Sequence, residues 1–179
     1  MNIFFLSLDT KEAARWHHDQ HVIKMVIESA QLLSTAWHVL NPEYVKREPN
    51  GATFLLGGKR IFGPSHVNHP MAIWVRESTA NYQYCWNLGL DLADEYYHRW
   101  GQFHSEPRRH NTQTILETLG DIPPAIPEAV GITKPPLCMP DEYKQDDPFK
   151  AYREYYDLVK LVNKPTYTNR ETPPWATKL

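Results

Sequence analysis

The chain of 179 residues has few cysteines and no excess of charge of either sign. Cys85 and Cys138 are isolated and form no CxxC spacing, and the first residues become charged too soon for a secretory signal. We therefore expect an intracellular, cytoplasmic protein. The formal net charge of −2 provides no overall basic field, so any contact with DNA must depend on a local patch.

Long apolar runs and familiar cofactor motifs are also missing. No segment has the roughly 18 consecutive apolar residues that a membrane span needs, so we expect no membrane partner. There is no glycine-rich phosphate loop, nucleophile elbow or dinucleotide fingerprint. His17, His18, Asp19 and His21 invite a metal interpretation, but neither HExxH nor a finger spacing occurs. We expect neither a cofactor nor a bound metal.

Aromatic residues, histidine and proline are abundant, at 12%, nine and fifteen respectively. Periodicity predicts two long helices, from Thr10 to Leu40 and from Pro70 to Trp100, which pack together. A shorter helix is expected over 111–119, a proline-rich connection over 121–148, and a last helix over 148–163. The region 53–62 is either a small hairpin or a loop. The sequence thus predicts a mainly α fold in which residues 1–179 form one domain.

The helix over 10–40 is apolar on most of its circumference. Its polar residues fall within a stripe roughly 80° wide at about 100° per residue. These residues are His17, His21, Lys24, Glu28, Gln31, Thr35 and His38. Because a helix that is apolar nearly all round is buried, the stripe lines either a polar seam inside the protein or a cleft. We favour the cleft, since every buried polar group needs a partner.

The stripe suggests specific chemistry. Lys24 and Glu28 are one turn apart and can pair. A neutral Lys24 can attack an electrophilic carbon such as a sugar C1′, whereas a charged Lys24 holds a phosphate or pairs with Glu28. Glu28 can serve as acid, base or stabiliser of a developing cation, and His21 can orient both residues. The candidate substrate-binding residues are His17, Gln31, His69, Trp74, Asn81, Arg99, His104 and Lys144.

Several phrases carry a resemblance to known families. The start of the chain, Asp19-Gln20-His21 and Glu28 seven residues later resemble the phage-type pyrimidine-dimer DNA glycosylases with AP-lyase activity, the endonuclease V family. The phrases QHVIKM, NHP, EYYHRWG and MPDEYK are similar to those of uncharacterised phage and large-virus proteins. The resemblance implies a viral protein with a helical fold that acts inside an infected cell.

The glycosylase resemblance also implies a mechanism. In that family an N-terminal amine attacks C1′ of the damaged nucleotide and a helix glutamate assists, a role that falls here to Glu28. Residue 2 is Asn2 instead of threonine, so the Met1 amine or Lys24 is the candidate nucleophile. We expect a glycosylase with a DNA or nucleotide substrate. The alternatives are a nucleotide or nucleotide-signal hydrolase with a histidine-rich cleft, and a non-enzymatic viral protein that captures a nucleotide or host factor.

Overall fold

The computed structural model describes residues 2–163 and 165–177. Within these ranges the protein is mainly α, as predicted. The α-helices are α1 (Thr10–Trp16), α2 (Asp19–Leu40), α3 (Pro70–Val75), α4 (Thr79–Arg99), α5 (Gln113–Thr118) and α6 (Pro148–Tyr155). The strands are β1 (Val45–Arg47), β2 (Thr53–Leu55) and β3 (Arg60–Ile61), paired antiparallel in the order β1-β2-β3.

The long helices α2 and α4 pack against each other and form the centre of the core. Gly89 lies at this contact. A Cβ atom built on Gly89 would lie 2.9 Å from Leu116 Cδ2 of α5 and 3.0 Å from Ser29 Cβ of α2. Both distances are shorter than an ordinary carbon contact, so the absent side chain lets three helices approach closely.

The prediction of one continuous helix over 10–40 is wrong. His17 and His18 have extended backbone angles, with ψ of 134° and 163°, and they separate α1 from α2. The amide of Asp19 donates to the carbonyl oxygen of Thr166 at 3.0 Å. This contact with the end of the chain satisfies an amide that a continuous helix would have bonded internally.

The prediction of one continuous helix over 70–100 is also wrong. The helix ends at Val75 and restarts at Thr79, because Ser78 is extended and its Oγ accepts the amide of Asn81 at 3.2 Å. Serine is a preferred N-cap residue, so the sequence carried a signal for this restart.

The shorter elements occur where they were predicted, and some span fewer residues than expected. The hairpin interpretation of 53–62 is confirmed, and β1 adds a third strand that was not predicted. The last α-helix ends at Tyr155 and continues as a π-helical turn over Tyr156–Lys160. The proline-rich connection contains one short 3-10 turn, Asp141–Tyr143. The segment 3–6 is buried as predicted, but it bends at Leu6, whose amide donates to the carbonyl oxygen of Phe4 at 3.0 Å. The rings of Phe4 and Phe5 contact Tyr156 and Tyr152.

Candidate active site

Glu28 lies near the middle of α2, where the buried N-terminal segment crosses the helix. Its Oε2 accepts the main-chain amide of Asn2 at 2.6 Å, and its Oε1 lies 3.2 Å from Lys24 Nζ. The Lys24 side chain is 65% exposed, whereas that of Glu28 is 11% exposed. The carboxylate is therefore recessed and the amine projects to the surface above it.

Asn2 links Glu28 to the proline-rich connection. Asn2 Nδ2 donates to the carbonyl oxygen of Cys138 at 3.2 Å, so the proline-rich connection packs against the N-terminal segment. Asn2 Oδ1 is buried and has no hydrogen-bond partner among the described residues. A buried acceptor without a partner costs about 1–3 kcal/mol. The Cys138 thiol is half-buried, and burial raises its pKa, opposed in part by the nearby charge of Lys144.

Among the predicted binding residues, His69 lies close enough to Glu28 for the carboxylate charge to affect its pKa. It caps α3 with Nδ1, which accepts the amide of Met71 at 3.1 Å. Burial lowers the pKa of His69 and the Glu28 carboxylate opposes this shift. Lys144 Nζ pairs with Asp141 at 2.6 Å, with the lysine side chain 42% exposed. The structure thus brings Lys24 and the N-terminal segment onto Glu28, with His69 close enough to feel the carboxylate charge. Lys144 lies near Cys138 instead.

Two histidines of the stripe, His17 and His21, form a separate cluster at the start of α2, whereas His38 near its end donates to the carbonyl oxygen of Phe62. His17 is fully buried and Nδ1 donates to the carbonyl oxygen of Ala13 at 2.7 Å, while Nε2 has no partner among the described residues. The His21 ring stacks on Phe4 with centroids 4.8 Å apart, and its Nδ1 lies 2.9 Å from the hydroxyl oxygen of Tyr156. Burial lowers the pKa of His17 to about 3 and that of His21 to about 2.

This arrangement bears on the predicted role of His21. Its Nδ1 is engaged with Tyr156, and the described structure records no hydrogen bond between His21 and either Lys24 or Glu28. Orientation of Lys24 and Glu28 comes instead from their own ion pair and from Asn2. Gln31, one turn after Glu28, is half-buried.

Three other predicted binding residues have partners inside the protein. Trp74 Nε1 donates to the carbonyl oxygen of Thr133 at 3.2 Å. Asn81 Nδ2 donates to Trp74 O and Thr133 Oγ1, both at 2.8 Å, and its Oδ1 accepts the amide of Thr133. Arg99 is 1% exposed. His104, in contrast, is exposed and follows the 3-10 turn Gly101–Phe103.

Arg99 belongs to a buried charge network that sequence reasoning missed. It donates to Glu95 Oε1 at 2.7 Å and to Asp19 Oδ1 at 2.8 Å, and Arg170 donates twice to Glu95 at 2.8 Å. Burial alone would raise the pKa of Asp19, but hydrogen bonds from Thr168, Thr166 and Arg99 lower it. Within this network, the pair of Glu95 and Arg99 could be predicted from the sequence, because residues four apart on a helix lie on the same face.

Through this network the segment 166–170 packs over the junction between α1 and α2. Asp19 Oδ2 accepts the hydroxyls of Thr166 and Thr168, each at 2.7 Å. Because these partners are about 150 residues apart in sequence, no local pattern predicts them.

The described residues contain no group of three His, Cys, Asp or Glu side chains arranged to hold a metal ion. In the same residues, no helix has the length and apolar character needed to cross a membrane. No protein-family model matches the chain, and comparisons with curated proteins and with solved structures find no match. The function of the protein must therefore be inferred from its own residues, above all from those around Glu28.

Proposed function

We propose that this protein is a DNA glycosylase acting on damaged or modified pyrimidines, with Glu28 as the catalytic carboxylate and an amine as the nucleophile. The observation that carries the proposal is the position of one recessed carboxylate between two nitrogen atoms. These are Lys24 Nζ at 3.2 Å and the main-chain nitrogen of Asn2 at 2.6 Å. The resemblance to the endonuclease V family implies this pairing of a helix glutamate with an amine near the chain start.

The chemistry balances with these groups. The amine nitrogen forms a bond to C1′ while the bond from C1′ to the pyrimidine breaks, and the base leaves with the electron pair and takes up a proton. Glu28 takes a proton from the amine before the attack and passes it to the leaving base. It then takes a proton from the substituted nitrogen and passes it to O4′ as the C1′–O4′ bond breaks, which opens the sugar and leaves a protonated imine. Borohydride reduces such an imine to a stable amine.

Two features of Lys24 support it as the attacking amine. Its side chain is exposed, so it can reach a nucleotide that approaches from solvent, and its partner carboxylate is adjacent. The nitrogen of Asn2 is a peptide amide and becomes an amine only if Met1 is removed. The Met1 amine, the other predicted nucleophile, lies outside the described residues.

The local charge supports a polyanionic substrate. Lys24, paired with Glu28, and Lys144, paired with Asp141, both have exposed side chains that can meet a phosphate. Lysine contacts to phosphates supply most of the sequence-independent affinity of proteins for DNA. Because the net charge of the chain is −2, affinity for DNA must come from local lysines such as these.

Borohydride trapping on an oligonucleotide that carries an abasic site or an ultraviolet lesion tests the proposal. We expect a covalent adduct with the parent protein and a loss of about 10²–10⁴-fold in the trapping rate with Glu28→Gln, because a positioned proton acceptor contributes that much. Lys46→Ala is the matched control, since Lys46 is an exposed lysine paired with Glu48 at 2.9 Å. Absence of an adduct with the parent, or parent-like trapping by Glu28→Gln, would overturn the proposal.

A nucleotide hydrolase is the second candidate function. The observation that favours it is a cavity of about 420 Å³ beside His18 and His21, which is large enough for a small nucleotide. A screen of nucleotides for hydrolysis, together with metal analysis, separates the two candidates. Turnover of a free nucleotide without any adduct on DNA would favour the hydrolase. Recovery of an unmodified ligand from the purified protein would favour the third candidate, a non-enzymatic binder.

A further inference from the structure

The cavity beside His18 and His21 lies between the start of α2 and the segment that follows α6. Its polar lining is His18, Gln20, His21, Lys160, Asn163 and Thr166. No acidic side chain lines the cavity among the described residues. The described part of the lining therefore combines neutral hydrogen-bonding groups with one lysine, Lys160.

The protonation of His21 follows from its partner. Tyr156 is fully buried, and its hydroxyl oxygen accepts the amide of His18 at 3.1 Å. The Tyr156 hydroxyl oxygen also lies 2.9 Å from His21 Nδ1, which is the acceptor recorded for the hydroxyl proton among the described residues, so the hydroxyl donates to that nitrogen. The neutral His21 ring then carries its own proton on Nε2. No described residue pairs with that N–H, which is left available to a ligand.

His18 supplies the second unpaired group. The residue is 5% exposed and lines the cavity, yet its ring has no hydrogen-bond partner among the described residues, and its side chain does not cap α2. Burial lowers the pKa of His18 to about 4, so its ring offers one donor and one acceptor at neutral pH. Because the His18 ring lines the cavity and has no partner among the described residues, its nitrogens are available to a molecule that enters there.

The donors and acceptors match a particular kind of molecule. Neighbouring atoms on the edge of thymine or uracil present an acceptor and a donor, which suit His21 Nε2–H and the acceptor nitrogen of the His18 ring. Lys160 Nζ lies 4.9 Å from the centroid of the Tyr155 ring and supplies the positive charge of the lining. One lysine suits one phosphate group.

We infer that this cavity binds a pyrimidine nucleotide of the thymidine or uridine type, with the base against His18 and His21 and the phosphate at Lys160. The inference rests on the proposed function for its relation to DNA. His21 and Glu28 are seven residues apart on α2, or about 10 Å at 1.5 Å per residue, which is too far for the reacting base itself. On a DNA strand the cavity therefore holds a nucleotide next to the reacting one. A free nucleotide monophosphate offers the same chemistry.

Titration of the protein with thymidine 5′-monophosphate, followed through ¹⁵N-labelled histidine rings by NMR, tests the inference. We expect saturable shifts of the His18 and His21 ring signals. Lys160→Ala is expected to weaken binding of the monophosphate by about fivefold and to leave binding of thymidine unchanged, as the loss of one exposed charge contact predicts. Lys150→Ala, an exposed lysine outside the cavity, is expected to bind like the parent.

His18→Asn is the second variant, and it is expected to weaken binding of both thymidine and its monophosphate. Folding of each variant is checked from its amide spectrum. Absence of saturable ring shifts in the folded parent at about 10 mM nucleotide, well above a millimolar dissociation constant, would overturn the inference. Parent-like binding by both Lys160→Ala and His18→Asn would overturn it as well.

A titration with a short single-stranded oligothymidylate identifies the source of the nucleotide. Tighter binding of the oligonucleotide than of the monophosphate supports a site for a DNA strand, and binding of the monophosphate alone supports a site for a free nucleotide. The two proposals fail separately. Ring shifts without a borohydride adduct remove the glycosylase and keep the cavity, whereas an adduct without ring shifts removes the cavity and keeps the glycosylase.

Discussion

At the scale of single residues, the polar stripe of the first long helical region divides into open and sealed positions. Lys24 is exposed and Glu28 is recessed beneath it, whereas His17 and Thr35 are fully buried. The spacing of residues on α2 predicted that they share a face. It did not predict which part of that face is covered, because the covering segments come from the two ends of the chain.

The buried histidines predict a dependence of stability on pH. Because the pKa of His17 is about 3 in the folded protein and near 6.5 when unfolded, the unfolded chain binds more protons between those values. Stability therefore falls as the pH falls from about 6.5 toward 3, with a slope of up to about 1.4 kcal/mol per pH unit for this residue. Urea unfolding at several pH values measures the slope.

The control for this measurement separates His17 from the general effect of acid. His17→Asn keeps a side-chain nitrogen that can donate to Ala13 and removes the titrating ring, so we expect a shallower slope by about one proton. His104→Gln changes an exposed histidine outside the cluster and is expected to retain the slope of the parent. An unchanged slope in His17→Asn would show that the ring does not control acid stability.

At the scale of secondary structure elements, periodicity predicted the helices but not their interruptions. Apolar periodicity continues across His17 and His18, so nothing in the pattern marks that break. The break depends on a contact between Asp19 and Thr166 that is remote in sequence. Ser78, in contrast, is a typical N-cap residue, and its Oγ accepts the amide of Asn81 at 3.2 Å where α4 begins.

The close contact at Gly89 gives a prediction for the packing of α2, α4 and α5. Gly89→Val places two methyl groups where a Cβ already lies 2.9 Å from Leu116 and 3.0 Å from Ser29. We expect a loss of about 1–3 kcal/mol in the free energy of unfolding, the usual effect of overpacking. Gln83→Val, at an exposed position of the same helix, is expected to stay within about 0.5 kcal/mol of the parent.

Thermal or urea unfolding of both variants provides the comparison. A Gly89→Val protein as stable as Gln83→Val would mean that the helices separate at little cost. The tight approach of α2, α4 and α5 would then not be a determinant of the fold.

At the scale of the whole molecule, segments from both ends of the sequence pack onto α2 and α4. Asn2 reaches Glu28, and residues 166–170 reach Asp19 and Glu95. These contacts could not be predicted from local spacing, because loop closure over such separations leaves no periodic signal. The mainly α class and the Lys24–Glu28 pair could be predicted, because both depend on helical periodicity alone.

The proposed mechanism requires an amine beside Glu28 to form a covalent bond to the sugar of a nucleotide. Mass spectrometry of the peptides from the borohydride-trapped complex tests it most directly. We expect the adduct on Lys24, whose Nζ lies 3.2 Å from Glu28 Oε1, or on the N-terminal residue. An adduct on a lysine remote from Glu28, such as Lys46, or no adduct on any peptide, would contradict it.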